Sequence, residues 1–221
     1  MITDLKILDN FYDDPEKIFY LSNGEFPIFG CGTGKRSIGL QEVDKKLYDQ
    51  FCAKIFKIHG ITDPRGLHMF TFFMEHNWNP IEVFNKGWVH IDGKNPDACR
   101  MTTEDYKLVV CGQIFLTPDP DPEASASTYK LRNGVNWSTQ ELYDRCINDY
   151  TIPREDYEAK KIDLDQFTQL HTDYHSNFEQ TAEVKNVYNR MVSWRAGTLH
   201  GQRMTQKMGK RLNQYFFIQR I

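Results

Sequence analysis

The chain has 221 residues, 40% of them hydrophobic and 14% aromatic, with a formal net charge of -3 at pH 7. That length carries one sizeable core, and the charge excludes the broad basic field of a typical nucleic-acid binder. No apolar run approaches the roughly 18 residues of a membrane span, and the first residues lack the basic and apolar segments of a signal peptide, so a single domain, 1–221, in a cytoplasmic protein is expected.

Residues 2–9 read as a short edge strand, and Asp13 or Asp14 before Pro15-Glu16 starts a helix that Gly24 would end. The stretch Gly30-Cys31-Gly32-Thr33-Gly34-Lys35-Arg36 is glycine-rich and basic but lacks Walker spacing, so a mobile loop closing over a substrate fits better than a phosphate cradle. Val43, Leu47, Phe51, Ile55 and Ile58 recur at helical spacing, which predicts one amphipathic helix over residues 41–59. Residues 10–60 are thus a helical support. His59 and His68 flank a turn from Gly60 to Gly66, and a turn or capping role fits both.

Residues 69–74 predict a buried strand, and Asn77-Trp78-Asn79-Pro80 a polar turn. A short strand over 87–92 and a loop over 93–103 follow. Residues 106–116 carry the strongest strand signal in the chain, ended by the prolines at 118, 120 and 122. Residues 124–131 re-enter the sheet. Residues 138–180 are polar and helix-like, with Ser138 placed to cap the run from Thr139, and read as an insertion or lid. Residues 183–194 and 210–218 read as closing strands separated by a turn that carries His200. Five scattered cysteines, Cys31, Cys52, Cys99, Cys111 and Cys146, form no Cys-x-x-Cys pair and suit buried thiols in a reducing compartment.

His90 and Asp92 stand two apart on a strand, so their side chains share a face. With a third ligand from His200, two neutral imidazoles and one carboxylate would occupy one side of an ion and leave adjacent positions open, as at non-haem Fe(II). His-x-Asp occurs again at His171-Thr172-Asp173, followed by His175. Spacing separates the copies: strands and turns filling a barrel between proximal and distal ligands need on the order of 40 residues, which Asp92 to His200 supplies and Asp173 to His200 does not. His171 and His175 suit structural roles better. Arg211 falls inside the last strand, where an inward guanidinium is costly unless it meets an anion, and alternation puts Asn213 on its face.

The ordered set His90, Asp92, His200 and Arg211, with Asn189-Arg190-Met191-Val192-Ser193-Trp194 leading into Gly197-Thr198-Leu199-His200, resembles the Fe(II)/2-oxoglutarate-dependent dioxygenases, in particular their prolyl 4-hydroxylase-like branch. The resemblance spans roughly residues 70–218. It implies a mainly β fold with flanking helices, a double-stranded β-helix or cupin-like jelly-roll. It further implies Fe(II) on His90, Asp92 and His200, 2-oxoglutarate chelating the iron with its far carboxylate on Arg211, O2 as co-substrate, and hydroxylation of an amino-acid or peptidyl side chain with release of succinate and CO2. Asn213 stands where relatives often carry serine as a second donor to that carboxylate. Tyr106 and Gln113 are further candidates near the co-substrate, and Arg36, Trp194 and Arg195 for the entrance. Small-molecule and peptidyl substrates fit equally, and nucleic acid is disfavoured. A non-catalytic jelly-roll binding module and a cupin-type metalloenzyme without 2-oxoglutarate are the alternatives.

Overall fold

The protein is described by a computed structural model over residues 5–22, 29–31, 34–92 and 107–221. Its longest strands, β4 (Leu67–Asn77) and β10 (Lys210–Arg220), pair antiparallel along their whole length, from Lys210 opposite Asn77 to Arg220 opposite Leu67. Around them lie β1 (Lys6–Leu8), β2 (Phe29–Cys31), β3 (Gly34–Ser37), β5 (Lys107–Phe115) and β8 (Met191–Arg195), giving a seven-stranded sheet in the order β1-β8-β5-β10-β4-β3-β2. A second, three-stranded sheet has the order β7-β6-β9, formed by β6 (Ala126–Leu131), β7 (Phe178–Val184) and β9 (Leu199–Gln202). His90 joins its open edge through an antiparallel bridge to His200. From β5 onward the chain alternates between the two sheets, except that β6 and β7 are consecutive in the smaller one.

Alternation along β10 divides two environments. Leu212, Phe216 and Ile218 enter an apolar core with Phe73, Ile114, Phe51 and Ile55 on the helical side of the large sheet. Arg211, Asn213, Tyr215 and Phe217 occupy the opposite register and therefore face the smaller sheet. The helical support consists of α1 (Pro15–Ser22), α2 (Leu40–Val43) and α3 (Lys45–Ile58). The single helix expected over 41–59 is broken because Asp44 adopts extended dihedrals and its carboxylate caps α3, accepting from Leu47 N at 3.0 Å.

Other expectations are corrected. The glycine-rich basic stretch is the β2–β3 hairpin, whose β3 adds to the edge of β4, rather than a loop. His68 lies within β4, while His59 is the C-cap of α3. The strand expected over 183–194 is two pieces in different sheets: β7 ends at Val184, and Asn189 turns the chain at φ 61° before β8. His200 sits in β9, where a turn was expected. Gly24, the 93–103 loop, Cys99 and Tyr106 fall outside the described residues.

Candidate metal centre

His90 and His200 face one another across the edge of the smaller sheet, each donating its backbone N–H to the other's carbonyl at 2.9 Å. Directly opposed residues of an antiparallel pair project to the same face, and Asp92 follows two residues later on that face. Two glycines permit the approach. A Cβ on Gly87, held at φ 81°, would lie 1.8 Å from the Gln202 carbonyl oxygen, and one on Gly201 would lie 2.9 Å from that of Trp88.

The three side chains converge. Their ligand atoms lie within 4.8 Å of one another, the only His/Cys/Asp/Glu group of this kind among the described residues. His200 Nε2 is 3.3 Å from one Asp92 oxygen and His90 Nε2 is 3.7 Å from the other. Nδ1 of His90 meets the Trp88 carbonyl and Nδ1 of His200 the Thr198 carbonyl, both at 2.9 Å. A carbonyl can only accept, so Nδ1 carries the proton in each ring and Nε2 offers its lone pair towards Asp92.

Burial pushes the His200 imidazole down to about 4, so it is neutral at physiological pH. Burial works upward on Asp92, but the adjoining imidazoles outweigh it and hold the carboxyl below its usual range. An ionised carboxylate beside imidazole nitrogens whose other ring nitrogen is held by a carbonyl is the type of donor set a divalent transition ion takes.

The helices over 138–180 stand behind the His90 segment. They are α4 (Thr139–Cys146), a π-helical turn (Ile147–Thr151), α5 (Ile152–Glu158) and α6 (Leu164–His175). Tyr174 donates its hydroxyl to the Val89 carbonyl at 2.5 Å, and His171 Nε2 meets the Gly87 carbonyl at 3.2 Å. Trp88 stacks on the His90 ring at 4.5 Å and on Tyr150 at 5.2 Å. His171 and His175 form no second metal group: their rings stack at 4.1 Å, and the Asp173 carboxylate is taken by Gln169.

His90, Asp92 and His200 open into a cavity of about 420 Å³, which Arg211 also lines. Arg211 is 0% exposed. Its Nη1 donates to the carbonyls of Ala124 (2.9 Å) and Arg203 (3.1 Å), and Nη2 to Gln202 Oε1. Its buried Nε has no acceptor, and no carboxylate among the described residues pairs with it. Burial lowers it to about 10, which still leaves it cationic at neutral pH.

Asn213 does not line the cavity. It is fully buried behind it, donating to Gln113 Oε1 at 3.0 Å and lying 3.4 Å from the same Gln202 oxygen that Arg211 uses. Gln202, Tyr215 and His76 are cavity residues that sequence reading missed. Tyr215 accepts from Gln202 and meets His76 Nε2 at 2.8 Å. The signal was period two: Gln202 follows His200 by two residues and Tyr215 follows Asn213 by two. Trp194 lies over the His200 ring at 4.6 Å and lines the cavity with Arg36, whereas Arg195 faces a different cavity.

No family model and no curated protein matches the chain in sequence. Its structural neighbours are Fe(II)/2-oxoglutarate-dependent oxygenases, prolyl hydroxylases among them, and it shares their fold. HygX from Streptomyces hygroscopicus, solved with nickel, 2-oxoglutarate and hygromycin B bound, superposes with a TM-score of 0.56 at 10% identity, covering 99% of this chain and 83% of that one. The non-heme alpha ketoglutarate dependent epimerase SnoN from nogalamycin biosynthesis gives 0.58 at 10% identity, over 99% and 79%. A prolyl hydroxylase from Trichoplax adhaerens, in complex with a peptide fragment of the hypoxia inducible factor oxygen degradation domain, gives 0.52 at 10% identity, over 98% and 83%.

Proposed function

We propose that this chain is an Fe(II)- and 2-oxoglutarate-dependent oxygenase built on a double-stranded β-helix, hydroxylating an amino-acid or peptidyl side chain. The observation that carries this reading is one cavity holding both the His90–Asp92–His200 group and a fully buried guanidinium that meets no carboxylate among the described residues. The strand order supports the fold: the chain touches the smaller sheet at the His90 bridge between β4 and β5, β6 and β7 lie together in that sheet, and β8, β9 and β10 alternate between the two, as in a jelly-roll. The thiols of Cys52, Cys111 and Cys146 are free, in keeping with a reducing, cytoplasmic setting.

The residues present fit the implied groups. His90 and His200 would hold Fe(II) through Nε2, and Asp92 would supply the one negative ligand. Arg211 would take the far carboxylate of 2-oxoglutarate, replacing a buried unpaired charge by a charge-assisted pair. When bound, the ion and co-substrate supply oxidative decarboxylation to succinate and CO2 coupled to oxygen insertion into a substrate C–H bond. The protein's share is positional. The Trp88 and Thr198 carbonyls lock both imidazole tautomers, Trp194 covers the His200 ring, and Phe72, Met74 and Phe217 wall the cavity against water.

Succinate formation from 2-oxoglutarate in the absence of substrate tests this. Alanine at His90, Asp92 or His200 is expected to abolish it, and unchanged turnover in any one variant would remove that residue from the centre. Arg211 weighs against both a metalloenzyme without 2-oxoglutarate and an inert binding module, since neither calls for a buried cation aimed at the metal cavity.

A further inference from the structure

Gln202 follows His200 by two residues on β9 and so shares its face, and its side chain reaches Arg211 and Tyr215 on β10. An arginine can only donate, so the amide oxygen of Gln202 is the end that accepts from Arg211 Nη2, and the amide nitrogen donates to the Tyr215 hydroxyl oxygen. Asn213 Nδ2 lies 3.4 Å from the same amide oxygen and 3.3 Å from the same phenol, which suits that orientation. All of Arg211, Gln202 and Tyr215 line the metal cavity.

A guanidinium has five N–H groups. In Arg211, Nη1 gives two of them to the carbonyls of Ala124 and Arg203, and Nη2 gives one to Gln202. The Nε–H and the second N–H of Nη2 are left, and Nε has no acceptor. Nε and Nη2 are also the pair with which Arg65 grips the Asp63 carboxylate, at 2.9 and 2.6 Å. Arg211 thus keeps a fork for one carboxylate as long as its other acceptors are neutral. A carboxylate in place of the Gln202 amide would neutralise a cation that is 0% exposed, and a second anion would then gain little by reaching it.

We propose that Gln202 is a positioning residue that sets the selectivity of Arg211: as a neutral acceptor it holds Nη2 in place without discharging the guanidinium, and so reserves that charge for the far carboxylate of the co-substrate. This step rests on the oxygenase reading, in which the co-substrate is 2-oxoglutarate. Gln202 acts through Arg211, and its tie to Tyr215 fixes which end of the amide the guanidinium meets.

The test uses the whole chain titrated with Zn(II), which supports no turnover, and then calorimetry with two ligands, 2-oxoglutarate and 2-oxovalerate, which shares the keto acid and chain length but ends in a methyl group. In the unaltered chain 2-oxoglutarate is expected to bind about a hundredfold more tightly, since it alone offers a far carboxylate. Gln202→Glu is expected to leave Zn(II) binding unchanged and cut that preference to about tenfold or less, while Gln202→Leu, which adds no charge, keeps most of it. A merely structural role predicts the reverse order, because glutamate preserves shape and an acceptor oxygen whereas leucine loses both hydrogen bonds. A glutamate variant with the full preference, a loss at least as large in the leucine variant, or failure of either variant to take Zn(II) would overturn the role of Gln202 and leave the oxygenase reading standing. An unaltered chain that takes no Zn(II), or that binds both ligands alike, would overturn that reading and this step with it.

Discussion

A guanidinium sealed from solvent among backbone carbonyls and one amide oxygen, with its Nε unmet, is stable only when a negative group reaches it, and Arg211 is that residue here. Lysine would keep the charge but lose the planar fork that grips both oxygens of a carboxylate. Arg211→Lys should therefore raise the 2-oxoglutarate concentration needed for half-maximal turnover by about tenfold or more while leaving iron affinity in place. An unaltered requirement would place the carboxylate elsewhere. Gly87 is the second telling residue. Alanine there would need φ 81° and would drive a methyl group into the Gln202 carbonyl, so the His90 segment would have to leave the edge of β9. Gly87→Ala should cost more than about 2 kcal/mol in denaturant unfolding and abolish metal binding; a variant of ordinary stability that still binds metal would show that the two strands need not approach so closely.

Among the elements, α6 matters most for the His90 segment, which is not the strand expected over 87–92 but a single bridge, because Tyr174 and His171 fasten to the Val89 and Gly87 carbonyls. Burial holds His171 at about 4, well under its ordinary 6.5. A histidine buried in its neutral form contributes fully above the unfolded pKa, and that contribution is lost as pH falls from about 6.5 towards 4, because the unfolded chain takes the proton first. Between pH 7 and pH 5 this amounts to about 2 kcal/mol. Urea unfolding at the two pH values should show that drop, and His171→Gln should flatten the slope; an equally steep slope in the variant would assign the acid sensitivity to other groups. His175, pushed to about 3 chiefly by burial, acts in the same direction. Local sequence announced these elements unevenly. Ser138 and Asp163 cap α4 and α6 through full capping boxes, and the Ser138 cap is readable directly from Ser-x-x-Glu. The β2–β3 hairpin was hidden because glycines and charges dominate it, and its strand character comes from pairing with β4, a tertiary cause that propensity does not register.

At the scale of the molecule, the site depends on register between two sheets. The grouping of His90, Asp92 and His200 and the burial of Arg211 were foreshadowed by period-two spacing of His90 and Asp92 and by a lone charge inside the last strand. Chain length and the absence of strand alternation around His171 separated the two His-x-Asp copies. Gln202, Tyr215 and Phe72 were not picked out as site residues: period two shares a face of the strand but does not say which strands oppose one another, and the stacking of Arg36, expected at the entrance, on Phe72 depends on that strand order. The His90 segment is an extreme case, held to the small sheet by a single bridge whose partner lies far along the chain.

The most direct test of the whole is the visible spectrum of the anaerobic protein with Fe(II) and 2-oxoglutarate added together. A weak charge-transfer band should appear only when both are present, vanish in His200→Ala, and need more 2-oxoglutarate in Arg211→Lys. A featureless spectrum from protein shown by calorimetry to have bound the iron would contradict the claim that metal and co-substrate meet in one cavity.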